Sequence, residues 1–320
     1  MSVSRRSFVA SLALASSVPA FADAPYPDKP VKFINSFPPG GPSDILARAI
    51  GEVLTAQLHQ TFVIENKAGA SGNIGADAVA KAQADGYTVL VGIDTTLTVN
   101  PHIYKTMPFK PADLKPVMIM ASSGLLVGVN PHTGFKTMKD LVAGAKSKSL
   151  TFSSAGAGSP GHLAIAVFDE ATGAKLTHVP YKGNTPAVVA VLSGEVDGGI
   201  LATPGMLPHV KAGKISALAV TSRQRSKLAP DIPTVSEAGI PALEQEVFYL
   251  MSVPAATPDA VVQVLQKAVA DALARPELQS RMLTLDLQYE GLTGAAASKR
   301  LADLSDHYAR VIKATGLKVE

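Results

Sequence analysis

The sequence predicts an α/β protein built as two lobes joined by a hinge, and three observations lead there. Short apolar, β-branched runs alternate with longer alanine-rich stretches of helical period, the pattern of βα units with parallel strands and right-handed crossovers. The alternation restarts midway, after a long extended run from Val117 to Asn130 with a break at Ser122-Ser123-Gly124, and a second extended run, Glu246–Pro254, is placed to return. Two glycine-rich turns, Phe37-Pro38-Pro39-Gly40-Gly41-Pro42-Ser43-Asp44 and Ser153-Ser154-Ala155-Gly156-Ala157-Gly158-Ser159-Pro160-Gly161-His162, each join a strand-like run to a helix-like run.

Taken in order, Val31–Phe37, Thr61–Glu65 and Tyr87–Ile93 read as strands, with helices at Ser43–Leu58 and Ile74–Gln83 between them. Past the first extended crossing, helix Met138–Lys146, strand Leu150–Ser154, helix His162–Ala171, strand Leu176–Pro180, helix Pro186–Leu192 and strand Ile215–Thr221 form a second αβ unit. After the return, Pro258–Arg275 and Ala295–Thr315 have the period of long amphipathic helices that pack back on the first lobe, and Pro276 restarts a short helix between them. Two extended crossings between two α/β lobes describe a hinge. The expected division is 1–22 as a leader, 23–123 with 250–320 as the first lobe, and 124–249 as the second.

Composition narrows the function. The chain has 320 residues, 47% of them hydrophobic and 17% charged, enough for two packed cores. Arg5 and Arg6 precede an apolar run from Phe8 to Val18, and Ala20-Phe21-Ala22 is the small-x-small pattern of a signal-peptidase site. Export to the periplasm with cleavage after about Ala22 is therefore expected, and Ser4-Arg5-Arg6-Ser7-Phe8-Val9 is similar to a twin-arginine signal. The leader holds two of the 29 basic residues and none of the 26 acidic ones, so the exported chain is close to neutral. No basic block is interleaved with aromatics, so no nucleic acid partner is expected. No stretch after the leader is long and apolar enough to insert in a membrane. Cys is absent, which excludes disulfides, thiolate metal sites and thiol catalysis together. The seven histidines form no H-E-x-x-H or other ligand cluster, so no metal is expected.

Each glycine-rich turn ends at a helix start, where unpaired N–H groups and the positive end of the helix dipole suit an anion. Gly156–Gly161 also satisfies G-x-G-x-x-G, the fingerprint of a dinucleotide site. The next strand ends in Tyr181-Lys182-Gly183 without the acid that would take a ribose hydroxyl, and Pro160 removes a donor, so no cofactor is expected. Ser159 and His162 stand three apart without a G-x-S-x-G elbow, so Ser159 reads as a helix cap rather than a nucleophile. Gly69-Ala70-Ser71-Gly72-Asn73-Ile74-Gly75 lacks the Lys-Ser/Thr pair of a phosphate loop and reads as a tight turn outside the site. Asp44, near the third helical residue, is expected to shape its turn, and Arg48 to pair with a surface or interlobe carboxylate.

Tyr26-Pro27-Asp28-Lys29-Pro30-Val31, Phe37-Pro38-Pro39-Gly40-Gly41 with Asp44 and Ala47-Arg48, Glu65-Asn66, Asp85-Gly86-Tyr87 and Asn100-Pro101 follow one another in the first half of the chain. His178-Val179-Pro180-Tyr181-Lys182-Gly183, Leu207-Pro208-His209, Lys211-Ala212-Gly213-Lys214 and Pro233-Thr234-Val235-Ser236-Glu237-Ala238-Gly239 continue the series. In that order, over the whole exported chain, they resemble the tripartite tricarboxylate transporter substrate-binding proteins, the Bug receptors. The resemblance implies a periplasmic-binding-protein, or Venus flytrap, fold with a ligand cleft between lobes and no chemistry on the ligand. It implies a small organic carboxylate as ligand and transient membrane permease subunits as partners; the alternatives are a sensory receptor of the same fold reporting to a membrane kinase and an exported nicotinamide-dependent oxidoreductase.

Carried onto this chain, the resemblance points to Pro39, Gly40, Gly41 and Ser43 from the first lobe and Ser154, Ala155, Gly158, Ser159 and His162 from the second. Thr95 and Thr96 match a cleft loop, Tyr181 and Gly183 end a strand on the same side, and Thr203 follows the distal segment. Where many members carry an aromatic-Asp pair, this chain has Ile200 and Leu201, and Phe248-Tyr249-Leu250 stands where members often have Trp, an aromatic and a small residue. Both departures imply a more apolar distal pocket and a ligand without an ammonium group.

Overall fold

A computed structural model describes residues 26–319; the expected leader lies outside the described residues. The chain begins with β1 (Val31–Asn35), α1 (Pro42–Leu58), β2 (Phe62–Asn66), α2 (Asn73–Ala80), β3 (Thr88–Ile93) and the short helices α3 (Thr95–Thr98) and α4 (Asn100–Ile103). It crosses on β4 (Leu114–Val129), then forms α5 (Met138–Ser147), β5 (Leu150–Ser154), α6 (Pro160–Thr172), β6 (Leu176–Pro180), α7 (Asn184–Ser193), β7 (Gly198–Ala202), α8 (Thr203–Lys211) and β8 (Ser216–Val220). It closes with β9 (Glu246–Pro254), α9 (Asp259–Leu273), α10 (Pro276–Thr284), β10 (Gln288–Thr293) and α11 (Gly294–Thr315).

The first lobe is a sheet in the order β2-β1-β3-β9-β4, with β10 on the far side of β4. The second continues from β4 through β7 and β5 to β6, with β8 on the other side of β4. In both lobes the βα strands run parallel, while β4 is antiparallel to its neighbours. Phe33 and Phe62 meet edge to face across β1 and β2, with ring centroids 5.2 Å apart. Against them α1 lays Leu46, Ile50 and Leu54, all at most 1% exposed, and it stops where His59 turns left-handed at φ 53°. Burial of such a stripe, rather than propensity, holds a helix of this length in place.

Helix α5 begins with a capping box: Thr137 Oγ1 accepts from the Asp140 N–H at 3.1 Å, and Asp140 Oδ2 accepts from the Thr137 N–H at 2.9 Å. Thr137→Ala is expected to lower stability by about 1 kcal/mol, read as a shift of the urea midpoint at constant slope. A change under a few tenths would mean that packing alone holds this helix start.

The pattern gives neither β10 nor the helices α3, α4 and α8, and three further features differ from the sequence reading. Ser122-Ser123-Gly124 is no break, because these residues stay in register with Phe248, Val247 and Glu246 and β4 runs unbroken for 16 residues. Glu246–Pro254 is more than a crossing: it lies between β3 and β4 as an inner strand of the first sheet. The pattern gives no strand at 198–202, where β7 forms, because Gly198 and Gly199 depress β propensity. Both glycines are needed: a Cβ at Gly198 would stand 2.7 Å from the Gly128 carbonyl oxygen, and one at Gly199 would stand 2.5 Å from Ser153 Oγ.

The two connections between lobes are tied at one residue. Thr221 N–H donates to the Leu125 carbonyl at 2.8 Å, and its Oγ1 accepts from the Leu125 N–H at 2.8 Å and donates to the Gln245 carbonyl at 2.6 Å. The Gln245 N–H returns a bond to the Thr221 carbonyl at 2.9 Å. Among the described residues no helix is long and apolar enough to cross a membrane.

Candidate functional site

Three helix starts converge between the lobes. Helix α1 opens at Gly41 in extended conformation with Pro42 as its first residue and no side-chain cap. Helix α6 opens with Ser159, which accepts from the His162 N–H, followed by Pro160. Helix α7 opens at Gly183, at φ 115°, again without a side-chain cap. The first N–H groups of a helix have no intrahelical acceptor, so each start leaves donors and a partial positive charge facing outward.

These starts line one cavity of about 220 Å³. Its helix-start residues are Gly41, Pro42, Ser43, Ser159, Pro160, Gly161, Asn184, Thr185 and Pro186, flanked by Phe37, Pro38, Pro39 and Ala155. Its strand residues are Ile93, Leu125, Ile200, Leu201, Ala202, Val247 and Tyr249. Ile93 pairs with Tyr249 and Leu125 with Ala202 across neighbouring strands, so these residues form continuous stretches of wall. The Tyr249 hydroxyl is already bonded to Ser123 Oγ at 3.2 Å. Among the described residues no charged side chain lines this cavity.

The first turn is braced by Asp44, only 3% exposed. Its Oδ2 accepts from the Gly40 N–H and Arg48 Nε, both at 3.0 Å, and its Oδ1 accepts from Arg48 Nη2 at 3.0 Å and Asn66 Nδ2 at 2.8 Å. Burial pushes this carboxyl up, but the bonds from Arg48, Gly40 and Asn66 outweigh it and hold the pKa below the usual carboxylate value. Arg48 therefore pairs within its own helix, one turn away, rather than with a surface or interlobe carboxylate.

Of the fourteen residues expected at the site, Pro39, Gly41, Ser43, Ala155 and Ser159 line the cavity. Gly40 borders an adjoining hollow, and its N–H is taken by Asp44. Thr95 is 1% exposed, and Thr96 Oγ1 donates to the Ser71 carbonyl at 3.0 Å. Ser154 Oγ bonds His178 Nε2 at 2.7 Å. Gly158 packs toward the first lobe, and Gly183 backs onto Pro38, whose Cγ would stand 2.9 Å from an added Cβ. The Tyr181 hydroxyl points away to Glu195 Oε1 at 2.7 Å, and Thr203 Oγ1 donates to the Gly124 carbonyl at 2.9 Å in the crossing.

His162 does not line the cavity either. Its Nδ1 accepts from the Gly158 N–H at 3.1 Å, and its ring stacks on His178 with centroids 3.9 Å apart. Burial lowers both imidazoles, and the neighbouring His162 adds to the effect on His178, which falls to about 4. At neutral pH the pair is uncharged and serves as a brace for the second turn.

Residues not expected from the sequence include Asn184, Thr185 and Pro186 on α7 and the strand positions Ile93, Leu125 and Val247. The α7 start carried a usable signal, since Gly183 ends a strand-like run and begins a helix as Gly41 does. Among the described residues no group of three metal-ligating side chains occurs.

Comparison with known proteins places this chain in a group. A family model described as tripartite tricarboxylate transporter family receptor matches residues 46–317. BugT of Bordetella pertussis is 33% identical over 322 residues, covering 98% of this chain and 96% of its own. Among solved structures, R. palustris Rpa4515 with adipate is 32% identical with a TM-score of 0.88, over 92% of this chain and 99% of its own. The periplasmic binding protein BugD is 31% identical with a TM-score of 0.86, over 92% of this chain and all of its own.

Proposed function

We propose, since this chain belongs to the tripartite tricarboxylate transporter receptor family, that it captures a small organic carboxylate between its lobes and delivers it to a membrane permease. It is a solute-binding receptor and not an enzyme, as is this family. The observation that carries the ligand class is the convergence of α1, α6 and α7 on one cavity without a charged side chain among the described residues. N–H and hydroxyl donors at helix starts hold a carboxylate by charge-assisted bonds and need no arginine.

The ligand spans both lobes, so it binds the closed form better than the open one and draws the hinge shut. The hinge of this reading lies at Gly124–Leu125 and in 221–245, where Thr221 ties the connections. Ile200, Leu201 and Ala202 offer no acid for an ammonium group, which favours a di- or tricarboxylate, or an aliphatic or aromatic carboxylate, over an amino acid. The expected leader and the periplasmic relative BugD support a periplasmic location.

A thermal-shift series with adipate, citrate, benzoate, amino acids and NAD tests this reading. A ligand at a hundred times its Kd adds about 2.7 kcal/mol, a clear rise in Tm. The expected result is a rise with at least one carboxylate and none with amino acids or NAD. A rise with NAD alone, or with no carboxylate at millimolar concentration, would overturn it.

A further inference from the structure

The turn Gly69–Gly75 lies outside the cavity, yet it faces the second lobe. Ala70 and Ser71 stand at φ 46° and 50°, between Gly69 at 137° and Gly72 at 93°. Two consecutive residues with side chains rarely hold the left-handed region unless their surroundings impose it. Here the Ser71 carbonyl is held by Thr96 Oγ1 and by Asn100 Nδ2, each at 3.0 Å, and the same Asn100 amide reaches Asn73 Oδ1 at 2.7 Å.

So held, the Ser71 hydroxyl donates across the cleft to the Ala157 carbonyl, in the turn before α6. The fit around it is close: a Cβ on Gly158 would stand 2.8 Å from Ile103 Cδ1 and 3.3 Å from Ser71 Oγ. The receiving turn is itself fixed by the Gly158 bond to His162. Each half of the contact is thus built by its own lobe.

We propose that Ser71 is a positioning residue for closure, a clasp that holds the lobes together without touching ligand and sustains a closed population before ligand arrives. A bond made only in the closed form shifts the opening equilibrium by its whole net strength. The clasp also gives Thr96 and Gly158 a role: Thr96 braces the donor side, and Gly158 leaves room for the approach.

The chain contains no cysteine, so spin labels at Glu52→Cys in α1 and Lys146→Cys in α5, both exposed, report the interlobe distance without background. In unliganded protein, pulsed dipolar spectroscopy is expected to resolve a closed population in the parent. Ser71→Ala is expected to lower its closed-to-open ratio about fivefold, the equivalent of one ordinary hydrogen bond. Ser71→Gly is expected to lower it as much without lowering Tm, because glycine suits φ 50°. A purely structural serine would change Tm and leave the distance distribution alone. An unchanged ratio in both variants, or no closed population in the parent, would overturn the proposal.

Discussion

Gly161→Ala is expected to cost about 3 kcal/mol of stability and to abolish ligand binding, the larger end of what overpacking a closed interior does. A Cβ at this position would stand 2.1 Å from the Ile200 carbonyl oxygen and 3.3 Å from Ser154 Cβ. A backbone carbonyl within β7 cannot rotate away as a flexible side chain would, so α6 must move off its sheet. That movement takes the Ser159 to Gly161 helix start out of the cavity it lines. Urea unfolding measures the first effect and the thermal-shift series the second. Stability within 0.5 kcal/mol of the parent together with an undiminished ligand shift would refute this account of the packing.

The second large effect is expected at Asp44→Ala. It removes an acceptor of four bonds, leaving the Gly40 N–H without that acceptor and Arg48 and Asn66 with only the bond between Arg48 Nη2 and Asn66 Oδ1 and that from Asn66 Nδ2 to the Phe37 carbonyl. A loss of about 2–3 kcal/mol follows, at the level of hydrogen bonds to a charged group, moderated because half-exposed Arg48 regains water. The Gly40 N–H is freed and the turn loses its brace, so carboxylate affinity falls as well.

The effect has a pH signature. The folded pKa of Asp44 lies below its unfolded value, so its stabilisation is complete above the ordinary carboxylate value and is lost as pH falls through the folded one. The stability gap between parent and Asp44→Ala is therefore expected to be widest near neutrality and to close in acid. A gap independent of pH would mean that the alanine acts through packing rather than charge.

Much of the fold was readable because the βα alternation is written in apolar spacing, which depends on local sequence. The exceptions share a cause. Ser122-Ser123-Gly124 has the composition of a turn, but Ser122 Oγ reaches Glu290 at 2.6 Å, and Gly124 is needed because a Cβ would stand 2.9 Å from the Ser222 backbone nitrogen. Strand β7 is glycine-rich for the same kind of reason, a neighbour distant in sequence. At the site, glycine-led helix starts were legible as anion-binding geometry, while the fate of each donor was not. Gly40 gives its N–H to Asp44, and His162 is held in place by His178. Such pairings are decided by tertiary approach, and a short motif does not encode them.

The position of β9 bears on how the molecule is made. The strand between β3 and β4 is supplied by residues 246–254, so the sheet begun by residues 31–93 stays open along β3 until the whole second lobe has left the ribosome. The second lobe is nearly continuous in sequence and can assemble from short-range pairings, whereas the first needs partners more than 150 residues apart, such as Leu90 and Ser252. Loop closure makes distant pairings slow, and an uncovered strand edge invites mispairing. The lobe synthesised first is thus the last to be finished, and during that interval β3, paired with β1 on one side only, presents an open edge that must be kept from other chains.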